Sequence, residues 1–438
     1  MISTRLLRWI YRALWWLIAP VAVLRLVWRS RQEPGYILHI PERFGFGPKR
    51  VSRTPLIWVH AVSVGETRAA QPLILALQVA YPDAELLVTH MTPGGRATSE
   101  SLFGERVSRS YVPYDMRGPV RRFLRRYRPT LGIVMETEVW PTLIDECRLA
   151  NVPLTLANAR MSARSFRRAA KFGAHTQDVF GGFSAVFAQT EADADRLIAL
   201  GADNTTVLGN LKFDVAIDAH LLDVGTRWRM AIGDRPVWIA SSTREGEEAL
   251  VLDAFERQLA IGPKDALLIL VPRHLQRFDE IFALCSKRLR TQRRSQWAGA
   301  APMRAPSREL PEDTQVLLGD SMGELVAYYA VADLAFIGGS LVPTGGQNLI
   351  EAAASGTPVV IGPHTFNFTQ ATLDAIEAGA ALRVESPEQL GTTMAALFAD
   401  DVKREQMGLA ARQFADRDRG ATARTVAALA RYMQRRGV

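Results

Sequence analysis

Glu66 stands where a strand should turn into a helix. The stretch 57–78, IWVHAVSVGETRAAQPLILALQ, reads as strand, small-residue loop and helix, with Ala69, Leu73, Ile74 and Leu77 on one apolar face. A carboxylate at such a turn can act as general base towards a hydroxyl. It can equally be a first-turn acid that complements the helix dipole, and spacing alone favours that use. Because the dipole lowers a carboxyl pKa, base chemistry there requires burial or a neighbouring acid to offset it. Glu136 and Glu138 follow the apolar run LGIVM and precede Trp140 and Pro141. If the strand persists through them they point to opposite faces, so one at most reaches a ligand. Glu138 is then either a partner of an acceptor or neighbouring base, or a helix N-terminal acid. Lys212, in GNLKFD after an expected strand at 206–208, offers a cation for a phosphate or is an ordinary exposed lysine.

The second half carries elements suited to anions. Pro272 and Arg273 end the apolar strand of ALLILVPRH, which puts a guanidinium where a phosphate or carboxylate would lie, a surface ion pair being the alternative. Met322, Gly323 and Glu324 open a helix in GDSMGELVAYY, where a capping box from Ser321 to Glu324 accounts for the same residues without a ligand. In the stretch 336–368, FIGGSLVPTGGQNLIEAAASGTPVVIGPHTFNF, Gly345 and Gly346 permit close backbone approach, and a helix opening near Gln347 and Asn348 offers N–H donors. Glu351, one turn after Asn348, is placed to accept from ribose hydroxyls. Neither GxGxxG nor GxxxxGK[ST] occurs, so a dinucleotide fingerprint and a Walker ATPase are unsupported. Asp193 and Asp195 form a DxD inside a helical pattern where residues two apart diverge, so no metal site is expected.

The elements that must hold these residues follow from pattern and length. At 438 residues the chain exceeds the size of a single core, and 48% hydrophobic with 22% charged residues is an ordinary globular balance. Short β-rich runs alternate with helical patterns at 56–60, 86–90, 131–135, 154–157 and 185–188, then again at 237–240, 266–271, 316–318, 334–337 and 358–361. Two parallel α/β domains are expected, 33–217 and 236–438, joined by a connection at 218–235, with ligands at the strands' carboxyl ends in a cleft between them. Residues 291–314 read as a surface excursion. Cys147 and Cys285 lie far apart without metal spacing, which fits a reducing compartment. The net charge of +8 rests on arginine and suits phosphates, anionic lipid or nucleic acid.

Residues 1–32 form a third segment. Its uninterrupted apolar core, Ala13 to Leu24, is 12 residues long, short of the roughly 20 a spanning helix needs unless Arg12 and Arg25 snorkel. Trp9, Trp15, Trp16 and Trp28 with flanking arginines suit a helix lying in the membrane interface. A helix packed on its own protein is the bland alternative. The basic stretches 121–128 and 163–171 either face anionic lipid or are solvated surfaces.

Taken in order, the strings WVHAVSVGET, METEVWP, NARMSARS, GNLKFD, PRH, MGEL, GGSLVPTGGQNLIEAA and GPHTFNF resemble the Kdo (3-deoxy-D-manno-octulosonic acid) transferases along the whole chain. The resemblance implies a GT-B type fold of two facing Rossmann-like domains, an acceptor-binding first domain and a CMP-sugar donor-binding second one. It implies inverting transfer of Kdo from CMP-Kdo to a lipid A precursor, with Glu66 as base, which reverses the preference from spacing. Glu138 and Lys212 would assist at the reacting centre. Pro272, Arg273, Met322, Gly323, Glu324, Asn348, Leu349, Ile350 and Glu351 would line the CMP site. Implied partners are CMP-Kdo as co-substrate, the lipid A precursor and the cytoplasmic face of the inner membrane, with no nucleic acid, metal or other cofactor. A nucleotide-sugar epimerase shares the architecture without accounting for the amphipathic N-terminus, and a lipid-binding scaffold leaves the strand-end acids without a use.

Overall fold

Continuous apolar runs such as LIWVH and LLILVP are buried on both faces, as strands of a parallel sheet covered by helices must be. The computed structural model describes residues 4–434 apart from 32, 215–217, 300, 302, 305, 307–308 and 418. It divides the chain into two units, Met1–Asp214 with Asp418–Val438, and Val215–Arg417.

The first unit holds seven parallel strands: β1 (Leu56–His60), β2 (Glu85–His90), β3 (Ser108–Tyr111), β4 (Leu131–Met135), β5 (Leu154–Ala159), β6 (Ala185–Ala188) and β7 (Thr205–Val207). Their order is β3-β2-β1-β4-β5-β6-β7. The order reverses between β1 and β4, whose register pairs Val59 with Ile133 and His60 with Val134. Ligands of doubly wound sheets sit at such a switch point. The second unit repeats the plan with β8 (Val237–Thr243), β9 (Leu267–Pro272), β10 (Thr291–Arg293), β11 (Val316–Leu318), β12 (Leu334–Ile337), β13 (Val359–Ile361) and β14 (Ala381–Arg383). Its order is β10-β11-β9-β8-β12-β13-β14, with the switch between β8 and β12.

Three features differ from the reading of the sequence. Residues 219–232 of the expected connection form a helix whose Val224 and Trp228 are fully buried, and it belongs to the second unit, where Trp228 packs against Tyr328 and Trp297. The expected surface excursion begins with edge strand β10 and the short helix Arg294–Trp297, which buries both its end residues. The last helix, Ala421–Met433, returns to the first unit, where Leu429 and Tyr432 join the core containing Leu73 and Leu77. Asp214 ties down its start by accepting from the N–H groups of Gly420 and Thr422. An amphipathic pattern states that a helix needs a core and not which core.

The N-terminal helix, Thr4–Arg29, is long and apolar enough to cross a membrane. Its inner side is fixed to the first unit by polar contacts: Arg12 Nη2 to Asp145 at 2.9 Å, Arg8 to Asp145 and Asp178, and Tyr11 Oη to Asp115 at 2.7 Å. Trp15 turns inward as well, its ring 5.8 Å from Tyr114 and 6.4 Å from Trp140. Trp9, Trp16 and Trp28 remain exposed on the other sides.

Candidate active site

Four charged side chains gather at the carboxyl ends of strands in the first unit. Glu66 lies three residues past Ser63, which N-caps helix Val64–Ala69 in a capping box. Its Oε2 accepts from the backbone N–H groups of Val62 and Ser63, the latter at 3.2 Å. Its Oε1 accepts no hydrogen bond among the described residues. The capping role and the base role thus coexist, one on each oxygen. Burial, and then the charges of Glu138 and Glu136, push the Glu66 carboxyl up to about 7, against the lowering effect of the two backbone bonds. These are the two offsets that base chemistry at this turn requires.

Glu136 and Glu138 do not alternate along a persisting strand, because β4 ends at Met135 and Glu136 adopts a left-handed φ of 57°. A non-glycine residue in that region stores strain that surrounding contacts must hold. Here Lys212 Nζ lies 3.0 Å from Glu136 Oε1 and Glu136 N donates to Ala157 O. Lys212 is therefore an ion-pair partner within the first unit. Its turn is set by Asn210, whose Oδ1 accepts from Lys212 N, and by Asn158, whose Oδ1 accepts from Leu211 N at 3.0 Å. Asn158 is itself at a φ of 54° within β5, a positioning residue that the sequence marked only by the string NARMSARS. Glu138 Oε2 accepts from Trp140 Nε1 at 2.9 Å, and burial raises its pKa.

In the second unit, three strand ends converge. Arg273 follows β9, and its N–H donates to Thr243 O at the end of β8. Arg244, one residue past β8, places Nη1 2.8 Å from His274 Nε2. Burial, and then Arg244, Arg273 and Arg277, hold the His274 pKa down, the mark of a clustered positive field. The glycine-rich loop after β12 packs onto this cluster: a Cβ on Gly339, at φ 71°, would stand 3.2 Å from Arg244 Cγ. Glu247 fixes the loop. Fully buried, it accepts from the N–H groups of Gly339, Ser340, Leu341 and Arg244. Sequence reasoning missed Arg244 and Glu247, although STREGEE directly after an apolar strand was a signal of the same kind as the arginine after β9.

The other anion-site residues are placed as follows. Pro272 is buried at the end of β9. Helix Ile350–Ala354 begins later than expected; Asn348 precedes it, with Oδ1 accepting from Ile350 N and Nδ2 donating to Glu351 Oε1, both at 3.0 Å. Leu349 and Ile350 are fully buried, so their side chains belong to the core. Helix Leu325–Val331 also starts later, leaving Gly323 at φ 80° and Met322 exposed. Glu324 is 1% exposed and ion-paired with the equally buried Arg294. Ser321 Oγ donates to its carboxylate, so the expected capping box is replaced by a side-chain pair. Asp193, from the DxD, lies in the first turn of a helix N-capped by Thr190, whose Oγ1 accepts from Asp193 N, and its carboxylate accepts from Thr190 Oγ1 and Met161 N.

Comparison with known proteins bears on these two units. Residues 38–215 match the family model described as 3-Deoxy-D-manno-octulosonic-acid transferase (kdotransferase), and residues 303–414 match Glycosyl transferases group 1. A 3-deoxy-D-manno-octulosonic acid transferase of Bordetella pertussis is 45% identical, over 94% of this chain and 96% of that one. One of Haemophilus influenzae is 37% identical, over 98% and 99%. Among solved structures, a UDP-GlcNAc 2-epimerase from Neisseria meningitidis aligns with a TM-score of 0.55 at 15% identity, covering 86% of this chain and all of that one. That likeness concerns the fold. The paired switch-point sheets and the two full-length relatives agree: the chain belongs to the 3-deoxy-D-manno-octulosonic acid transferases, glycosyltransferases of the two-domain GT-B fold.

Proposed function

We propose that this chain transfers Kdo from CMP-Kdo to a lipid A precursor at the cytoplasmic face of the inner membrane, with inversion and with Glu66 as general base. The observation that carries the proposal is the Glu66 carboxyl itself, raised to about 7 beside Glu138 and Glu136, with one oxygen bonded to backbone. A base with a pKa near the working pH combines the right protonation state with useful proton affinity. Glu66 Oε1 takes the proton of a sugar hydroxyl, the hydroxyl oxygen attacks the anomeric carbon of Kdo, and the bond to the CMP phosphate breaks. Glu138 and the Lys212–Glu136 pair set the field around that base. Arg273, with Arg244 beside it, supplies positive charge for the phosphate of CMP, in a reaction that needs no metal.

The test is to incubate the protein with CMP-Kdo and a tetraacylated lipid A precursor and weigh the products. Addition of Kdo mass is expected, and it is expected to persist with chelator present. Glu66→Gln should retain CMP binding, read as protection against thermal unfolding, and lose transfer by about a hundredfold or more. Near-normal turnover in that variant would remove Glu66 from the role. Arg273→Ala should raise the KM for CMP-Kdo.

A further inference from the structure

Trp140 ends the turn that carries Glu136 and Glu138, and it occupies the N-cap position of helix Pro141–Leu149 without capping it through its own side chain. Pro141, at the first helical position, has no N–H, so the donors that a capping side chain would take are those of Thr142 and Leu143. Asp115, from the loop after β3, takes both: Oδ2 accepts from Thr142 N at 2.9 Å and Oδ1 from Leu143 N at 2.7 Å. This helix is therefore capped from a distant segment. Asp115 is 1% exposed and makes no ion pair among the described residues, so its charge rests on hydrogen-bond donors. A third donor is Tyr11 Oη on the N-terminal helix, 2.7 Å from Oδ2. Burial pushes the Asp115 carboxyl up to about 6 and these bonds oppose it, so losing the Tyr11 hydroxyl weakens the acceptor on which the helix start depends. Trp15, one turn on from Tyr11, stacks on Trp140 with ring planes 30° apart. The indole it meets is the one whose Nε1 donates to Glu138 Oε2 at 2.9 Å. Glu138, after burial, does most to raise the Glu66 carboxyl. Two side chains of one helix thus reach the cap and the indole that together orient this acid.

We propose that Tyr11 and Trp15 are positioning residues of the transfer reaction: through Asp115 and Trp140 they fix the turn that holds the Glu138 carboxylate beside Glu66. The inference rests on the transfer reading above, in which Glu66 is the base. It gives the inner face of the N-terminal helix a part in the electrostatics of that base, separate from any contact of the helix with substrate or lipid.

The test is the pH profile of kcat/KM for the full chain in detergent, measured in the parent, Tyr11→Phe, Glu138→Gln and the double variant. Tyr11→Phe keeps the ring that meets Trp15 edge-on and removes only the hydroxyl. It should lower the plateau about threefold to tenfold and move the inflection to lower pH, in the direction of Glu138→Gln. The KM for CMP-Kdo should stay within about twofold. In the Glu138→Gln background the same substitution should leave the inflection where it is, because the carboxylate it acts through is gone. A hydroxyl with a merely structural role would lower the melting temperature without moving the inflection. An unmoved inflection in Tyr11→Phe, or one that moves equally with and without Glu138, would overturn the assignment. A second readout needs no turnover: in chain grown with fluorotryptophan, the fluorine NMR resonance of Trp140, assigned through Trp140→Phe, should shift on Tyr11→Phe. A shift in a chain that transfers no Kdo would uphold the hold on Trp140 and refute the transfer reading instead. An unmoved resonance in a chain that does transfer Kdo would refute the positioning and leave the transfer reading standing.

Discussion

At the scale of single residues, the base role proposed for Glu66 couples rate and stability to pH in opposite senses. As a base it must be ionised, so kcat/KM should rise about tenfold per pH unit below the inflection and level off above about 7. Because Glu138 is the larger of the two charges acting on it, Glu138→Gln should move that inflection to lower pH. A profile that does not move would remove Glu138 from the electrostatics of the base. The folded-state value also lies above the ordinary 4.5, so the group favours the fold most below 4.5 and loses that contribution as pH rises through about 7. Glu66→Gln should therefore raise the melting temperature relative to the parent more at pH 8 than at pH 5. Differential scanning fluorimetry at the two pH values checks it, and the same shift at both would contradict burial as the cause.

At the scale of elements, loops after strands are held by buried carboxylates. Glu324 and Arg294 form a pair with no exposure on either side chain, joining the loop after β11 to the helix after β10. Removing one partner strands the other charge, which costs about 3–5 kcal/mol, whereas replacing both by apolar residues is far milder. Arg294→Ala should lower stability by that amount in chemical unfolding, and Arg294→Leu with Glu324→Leu should recover most of it. A double variant as unstable as the single would show that the loss is one of packing. Donor-side geometry has a similar support in Glu247, which spans β8 and β12 through four backbone N–H groups. These supports show where the sequence was legible and where it was not. Strands such as Leu131–Met135 announced themselves because parallel strands buried on both faces are continuous apolar runs. Edge strands β3, β10 and β14 did not, since SRSY, TQR and ALR are short and only partly buried. Glu66 was legible as a residue at a turn, but its burial comes from packing and the acids beside it from a neighbouring strand end. The arginines of 121–128 read as either lipid-facing or solvated, yet Arg122, Arg126 and Arg128 bond carbonyls of Phe44, Gly47, Arg50 and Ser52 and hold the loop before β1. Charge patterns reveal where arginines are and not which carbonyls come within reach.

At the scale of the whole molecule, the N-terminal helix carries a polar clamp on one side and exposed tryptophans on the other, which ordinary truncation would remove together. Its polar clamp, Arg8 and Arg12 on Asp145 with Tyr11 on Asp115, holds the first unit, and Asp115 also accepts from the N–H groups of Thr142 and Leu143 just beyond Glu138 and Trp140. Arg12 is thereby engaged by protein and not placed to snorkel, which favours a helix lying in the interface over one that spans. Deleting residues 1–31 removes the clamp and the outward tryptophans at once. Substituting the outward tryptophans separates them: Trp9, Trp16 and Trp28 are 69%, 74% and 63% exposed. Aromatic side chains of this size bury about 150–250 Å² each, so at roughly 25 cal/mol per Å² three of them contribute on the order of 10 kcal/mol at most to interface binding. The triple variant Trp9→Glu, Trp16→Glu, Trp28→Glu should lose flotation with anionic vesicles while keeping the parent melting temperature in detergent, because the clamp is untouched. The parent should float, less so as salt rises, since its arginines meet anionic headgroups. If the triple variant floats as well as the parent, the membrane contact lies elsewhere on the molecule. If instead it melts earlier by many degrees, those tryptophans are structural.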